Sequence, residues 1–445
     1  MTNIAIIVLD TLRKDTFDEH FDWMIGERFD NAWSTSHWTV PAHASLFTGR
    51  YASDAGVHAR AQHLDWEGKV LAERLARAGY RTRAFSTNSH ITPYFDFDRG
   101  FDHFECRQRA NLHDDRLLRL SEEFQGTRTQ YPKQALETLI KVARGEFDIG
   151  PSVKKMYRHL YNEYPILPSV SETSAGEALS YVRETEFGTD EFLFMNLMDV
   201  HGPYKPPVRY QRRYYSGDDV ADRGMATFSD NPGNGDAARD AYEDCARYLS
   251  DILKKILDEL DDFDYVITLS DHGESFGEDG VWAHIYGLNP VLTQVPLVVR
   301  GPERTTTRHE TPVDLLDVYA TIMDVAGLDP DPNTAGRSLR EEIPIRPCLT
   351  EYHGITHADK VKKIGQYGLS DAEVAAYDEP RFGLALPPNY YRHETLNEVS
   401  VIGKTDYDDP AGLLEELKAE RPELDRTERE LGEDIKSQLS QLGYL

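Results

Sequence analysis

Ile4-Ala5-Ile6-Ile7-Val8-Leu9 runs without a break into Asp10-Thr11. A short, wholly apolar run closed by a carboxylate reads as a strand buried on both faces, the kind found in parallel sheets covered by helices. Its closing residues then fall at the carboxyl edge of the sheet, where open α/β folds build their sites. The strand therefore predicts both a fold class and a place to look for chemistry.

Working outward, Val70 to Tyr80 reads as an amphipathic helix stopped by Gly79, and Arg81 to Ser86 as the next strand. Phe192 to Met198 and Tyr265 to Ser270 are further strands, separated by a long helix from about Asp236 to Leu260, and Val295 to Val299 continues the sheet. Pro312 to Gly327 opens after proline and ends at glycine, as a helix does. The alternation predicts an α/β sandwich, with a mostly parallel central sheet flanked by helices, over residues 1–340. Residues from about 105 to 180 show helical spacing and no strand pattern, and are expected to form an inserted helical cap. Residues 341–445 are expected to form a smaller C-terminal α+β region, ending in a charged helical tail from 411 on, with Leu413, Leu414 and Leu417 at helical spacing.

The balance of 77 acidic against 49 basic side chains, a net charge of −28, argues against nucleic acid and anionic membranes as partners, since both select positive surface. Arg outnumbers Lys by 34 to 15 and the acid is spread along the whole chain, which fits a halophilic protein working at high salt. Cys106, Cys245 and Cys348 are odd in number and far apart, so a disulfide framework is not expected. The first apolar run has no basic stretch ahead of it and is too short for an export signal or a membrane span, so a cytoplasmic location is expected.

Oxygen and imidazole ligands gather at the expected strand ends: Asp10, Thr39, Asp271 with His272, His284, and Asp199 with His201. In Ser36-His37-Trp38-Thr39-Val40-Pro41-Ala42-His43, Pro41 suits a first helical turn, so Thr39 is expected just ahead of a helix N-terminus. There it serves either as a cap or as a nucleophile whose alkoxide the helix dipole favours. An alcohol needs a metal or a base to attack near neutral pH, and carboxylates with an imidazole suit Zn²⁺ or Mn²⁺, an all-oxygen set Ca²⁺ or Mg²⁺.

Taken together, Val8 to Asp15, Thr39 to Arg50, Gly79 to Thr82, Gly100-Phe101-Asp102, Asp199 to Tyr204 and Ser270 to Glu274 resemble the sulfatase family of the alkaline phosphatase superfamily, over roughly residues 3 to 330 and in that family's order. The resemblance implies that Asp10, Thr39, Asp271 and His272 bind one divalent metal, with Thr39 also the nucleophile. It places His201 and His284 at the substrate as catalytic imidazoles, with His43, Arg13 and Lys205 as substrate-binding candidates, the last two the weaker.

Three departures refine it. The signature has Cys or Ser, oxidised to formylglycine, where this chain has Thr39, and threonine cannot form that aldehyde hydrate. His43 replaces an Arg, and Thr11 stands where calcium-type sulfatases often have a second Asp. The two-metal relatives place His four residues after Asp, whereas Asp199 and His201 are two apart, so one metal is expected.

The expected function is a metal-dependent hydrolase of sulfate or phosphate esters, with phosphate mono- or diesters favoured because a threonine sulfate has no hemiacetal route of decay. The substrate is expected to be a small-molecule, glycan or lipid-derived ester. Two alternatives stand beside it. One is a phospho-head-group transferase using the same covalent Thr39 intermediate, its acceptor groove lined from Tyr157 to Tyr164 or Tyr210 to Tyr215. The other is a non-catalytic metal-binding relative, which would have no need of all four ligands and both imidazoles.

Overall fold

The computed structural model describes residues 2–107, 173–216, 224–229, 235–340, 345–355, 364 and 367–424. In chain order its strands are β1 (Ile4–Leu9), β2 (Glu27–Phe29), β3 (Ala32–Trp33), β4 (Arg81–Ser86), β5 (His103–Cys106), β6 (Glu191–Leu197), β7 (Tyr265–Leu269), β8 (Ser275–Phe276), β9 (Trp282–Ala283), β10 (Leu297–Arg300), β11 (Thr307–His309) and β12 (Val313–Asp314). They are followed by β13 (Cys348–Tyr352), β14 (Arg381–Leu386), β15 (Tyr390–Glu394) and β16 (Val399–Ile402). The helices are α1 (Lys14–His20), α2 (Thr39–Thr48), α3 (Leu71–Arg77), α4 (Ser174–Glu184), α5 (Gly235–Glu259), α6 (Pro290–Thr293), α7 (Leu315–Val325), α8 (Asp371–Asp378) and α9 (Pro410–Ala419).

The main sheet has eight strands in the order β11-β2-β10-β7-β1-β6-β4-β5. β1 lies between β6 and β7, parallel to both, and the parallel set continues through β4 and β5. β10 is the exception, running antiparallel to β7 and β2. Every residue of β1 is buried, and its two faces feed different cores. Ile4, Ile6 and Val8 pack with Phe47, Leu75 and Val318 from α2, α3 and α7, while Ala5, Ile7 and Leu9 pack with Phe17, Val182 and Leu249 from α1, α4 and α5. A strand read from its apolar run thus ends as the middle layer of a three-layer sandwich.

The expected insertion shrinks at both ends. Residues 105 and 106 belong to β5, which pairs with β4, and α4 packs against α5 as part of the sandwich. Residues 108–172, and with them Tyr157 to Tyr164, lie outside the described residues, as does the tail beyond 424. Cys106, Cys245 and Cys348 form no disulfide, and no described helix is long and apolar enough to cross a membrane.

β13 to β16 form a separate antiparallel sheet. It is joined to the sandwich beside Thr39: Glu351 N donates to Thr35 O at 2.9 Å, and Thr350 Oγ1 donates to Ser34 O at 2.7 Å. The ring of Trp33 stacks on Tyr391 at 4.0 Å. The C-terminal sheet thereby holds the stretch that leads into α2.

Candidate active site

The carboxyl ends of β1, β4, β6 and β7 meet at one edge, and each delivers a polar side chain there. Asp10 follows β1, and its backbone N–H donates to Leu197 O of β6 at 3.0 Å. Its Oδ2 accepts from Asn88 at 2.8 Å and from Asn196 at 3.2 Å, while Oδ1 is buried with no partner among the described residues. Asp271 lies two residues beyond β7. Its Oδ1 accepts from the N–H groups of His272 and Thr11, at 3.1 and 3.4 Å, and its Oδ2 is again buried and unpartnered. Thr11 adopts φ 62°, rare for a side chain with a branched Cβ, and its hydroxyl is within 3.0 Å of Val200 O. That conformation aims the Thr11 amide at Asp271.

Thr39 is the first residue of α2, and Trp38 takes the cap position with no side-chain capping bond. The helix therefore begins one residue earlier than expected, and the Thr39 hydroxyl does not cap it. It points instead at His272, with Oγ1 3.2 Å from Nε2. All ten residues of α2 are buried. The helix ends at Gly49 with φ 70°, where a Cβ would come within 2.3 Å of the Tyr319 ring, so the helix is seated against α7 by a residue that only glycine can supply.

The histidines have fixed tautomers where the backbone dictates them. His272 Nδ1 donates to Gly273 O at 2.9 Å, which leaves the Nε2 lone pair facing Thr39, Asp10 and Asp271. His43 Nδ1 donates to Thr39 O at 2.9 Å, and its Nε2 accepts from Asn196 at 3.2 Å. Fully buried and bonded at both nitrogens, His43 sits beneath Thr39 and does not face a substrate. Burial lowers it to about 4, so it stays neutral. His284 Nδ1 donates to Glu274 Oε1 at 2.9 Å, and Tyr204 donates to the other oxygen of Glu274 at the same distance. His201 Nδ1 donates to Gly202 O at 2.7 Å. The rings of His272 and His201 lie 4.6 and 5.0 Å from that of His284, which joins them into one imidazole wall.

The donor set fits a divalent cation. The ligand atoms of Asp10, Asp271 and His272 lie within 4.8 Å of one another, and all three residues are buried. From His272 Nε2, Thr39 Oγ1 is 3.2 Å away, Asp271 Oδ2 3.6 Å and Asp10 Oδ1 3.9 Å. Donors sharing one ion at bonds of about 2 Å lie roughly this far apart. Both carboxylate oxygens that converge there are the unpartnered ones, and a buried carboxylate oxygen with no donor is costly unless a cation faces it. Burial pushes the Asp271 carboxyl up to about 7 and, with His284 nearby, the His272 imidazole down to about 3, the directions expected of ligands lacking their positive centre.

The remaining candidates have other surroundings. Arg13 is buried and fully engaged by Asp15, Glu278 and the carbonyl of Glu274, so it braces the loop behind His284. Lys205 is exposed. Asp199 accepts from Ala175 N at 2.7 Å in the first turn of α4, apart from the metal ligands. Tyr210 and Tyr215 spend their hydroxyls on Asp251 and Asp244 of α5, which makes them packing residues and not an acceptor groove. Asn88, Asn196, Glu274 and His37 were not singled out as site residues from the sequence. The first two are held to Asp10 and the third to His284. Asn196 carried a signal, being the polar residue inside an otherwise apolar strand; Asn88 and His37 carried none.

Comparison with known proteins gives the family and the fold. The family model described as Sulfatase matches residues 25–328, a stretch that contains Thr39, Asp271, His272 and His284. The uncharacterized sulfatase YidJ of Escherichia coli (strain K12) is 22% identical over 353 residues, 74% of this chain and 66% of its own length. The choline-sulfatase of Rhizobium meliloti (strain 1021) is 32% identical over 130 residues, 26% of this chain and 25% of that protein. The chain thus spans just under two thirds of the first relative and a quarter of the second. Among solved structures, the phosphonate monoester hydrolase of Agrobacterium radiobacter superposes with a TM-score of 0.63 at 17% identity, covering 94% of this chain and 95% of that one. A protein of the alkaline phosphatase superfamily from Vibrio parahaemolyticus superposes at 0.51 with 13% identity, covering 100% and 88%. At such identities the likeness is one of fold.

Proposed function

This chain belongs to the sulfatase family, and from that premise we propose that it is a hydrolase of phosphate mono- or diesters that uses Thr39 as a covalent nucleophile. The observation that carries the reading is the convergence of the Thr39 hydroxyl with His272 Nε2 and the two unpartnered oxygens of Asp10 and Asp271. These four residues would hold a single divalent ion, Zn²⁺ or Mn²⁺ for a mixed oxygen and nitrogen set, which when bound would lower the pKa of the hydroxyl and offset charge on the transferred group.

In the first half-reaction Thr39 Oγ, having released its proton to solvent, forms a bond to phosphorus while the bond to the leaving oxygen breaks. The N-terminus of α2, where Thr39 is the first residue, stabilises the growing negative charge. His284 is the group that protonates the leaving oxygen. Its Nδ1–H is held by Glu274, which keeps Nε2 aimed into the site and stabilises the protonated ring. His201 stands beside it and orients the substrate. In the second half-reaction water gives up a proton to His284 and attacks phosphorus, which releases phosphate or its monoester and restores Thr39. Threonine has no aldehyde hydrate, so the formylglycine route of sulfatases is not used. The unit up to about residue 340 carries this chemistry, in a protein we place in the cytoplasm of a cell with high internal salt.

The test is a panel of p-nitrophenyl phosphate, bis(p-nitrophenyl) phosphate and p-nitrophenyl sulfate, run with Zn²⁺ or Mn²⁺, followed by mass spectrometry of the quenched enzyme. The expected result is turnover of phosphate esters, a phosphate adduct on the peptide containing Thr39, and no turnover by Thr39→Ala with its fold intact. Undiminished turnover by Thr39→Ala would remove the nucleophile from the mechanism.

A further inference from the structure

His37 lies in the catalytic segment, yet nothing in the mechanism so far employs it. Its side chain is fully buried, and neither ring nitrogen has a hydrogen-bond partner among the described residues. Native proteins leave few buried polar groups unpaired, and such a group calls for a partner that arrives from outside. For Asp10 Oδ1 and Asp271 Oδ2, which accept, that partner is a cation. For an imidazole N–H it is an acceptor.

The backbone places the ring beside the nucleophile. Trp38, between His37 and Thr39, is extended at φ −154°, ψ 169°. Side chains on either side of an extended residue leave the chain on the same side, roughly 6–7 Å apart. Trp38 points the other way, into the core, edge-on to His90 at 6.0 Å. His272, His284 and His353 lie near enough to the His37 ring to act on it, behind the larger effect of its burial. Tyr352 of β13 backs it with ring centroids 4.6 Å apart. That backing is anchored on the same segment, because Ser36 Oγ donates to Glu351 O at 3.1 Å.

We propose that His37 is an oxyanion-binding residue, whose ring N–H donates to a non-bridging oxygen of the phosphoryl or sulfuryl group reacting at Thr39. It does from two residues before the nucleophile what His43, bonded at both nitrogens beneath Thr39, does not do. The inference rests on Thr39 being the reacting centre.

The experiment titrates metal-loaded protein with inorganic phosphate by calorimetry, comparing wild type, His37→Phe, which keeps a ring without a donor, and His37→Asn, which keeps a donor. Metal content and bis(p-nitrophenyl) phosphate turnover are measured alongside. The expected result is unchanged metal content, a Kd for phosphate raised by about tenfold or more in His37→Phe, and partial recovery in His37→Asn. A Kd within twofold of wild type in His37→Phe overturns the proposal and leaves the role of Thr39 standing. Loss of metal in both variants assigns His37 a structural part and also overturns it. Wild-type protein that neither binds phosphate nor turns over an ester overturns the reading of the site itself, and this proposal with it.

Discussion

The Thr39 hydroxyl and the His272 Nε2 atom are 3.2 Å apart although 233 positions separate them along the chain. Thr39 opens a helix and His272 follows a strand, so the contact exists because α2 is seated with its N-terminus at the carboxyl edge of the sheet. The two residues share a point with Asp10 and Asp271, and these groups together could hold a cation.

Replacing Asp271 by Asn tests the cation directly. Asn keeps the volume and the Oδ1 acceptor for the Thr11 and His272 amides but loses the charge that faces His272. The expected outcome is a metal content well below one ion per chain after dialysis, and turnover lowered by at least about a hundredfold. Elemental analysis against protein concentration checks it, and an unchanged stoichiometry would take Asp271 out of the ligand set.

Glu274 acts through His284 and touches no reacting atom. Glu274→Gln is expected to lower kcat by about 10²-fold, within the range for general acid–base catalysis, with little change in KM or metal content. The loss should be larger for esters with alkyl leaving groups than for p-nitrophenyl esters, whose leaving oxygen needs no proton. An equal loss on both would assign Glu274 to the support of the fold, through Tyr204 and the Arg13 loop.

His43 predicts a pH dependence of stability in the metal-free protein. Burial lowers it from 6.5 to about 4, so the unfolded chain binds a proton that the folded chain does not between those values. Its contribution is complete above about pH 6.5 and is lost as pH falls toward about 4. Urea midpoints for His43→Asn should therefore fall less steeply between pH 6.5 and 4 than those of wild type. An identical slope would place the acid sensitivity elsewhere, for example in His272, which shifts in the same direction. Asp271, raised to about 7, works the opposite way, since its folded form holds a proton that the unfolded form has released, and stability falls as pH rises from about 4 to 7.

Much of the molecule was legible in its periodicities. The apolar run of β1, the alternation of strands with helices, and polar residues at strand ends are local properties, because burial on two faces demands an unbroken apolar strand and loops must be polar. The antiparallel course of β10 was not legible, since a buried strand reads the same in either direction. Asp10, Thr39, Asp271 and His272 were nameable from the sequence for the same local reason, helped by the order of the family's motifs.

What each side chain faces was decided by tertiary structure alone. His43 and His37 flank Thr39 in one short segment, yet one is bonded at both nitrogens and the other has no hydrogen-bond partner among the described residues. Arg13, a weaker substrate-binding candidate from the sequence, is paired with Asp15 and Glu278. Asn196 reaches Asp10 across the β1–β6 register, and β13 meets the segment before Thr39 across more than 300 positions. Such contacts depend on strand register and helix seating, which arise only when the whole core closes. The sequence by itself therefore determined the architecture and named the residues that could serve as ligands, while the packed fold decided which neighbours surround them and which buried polar groups stay unpaired among the described residues.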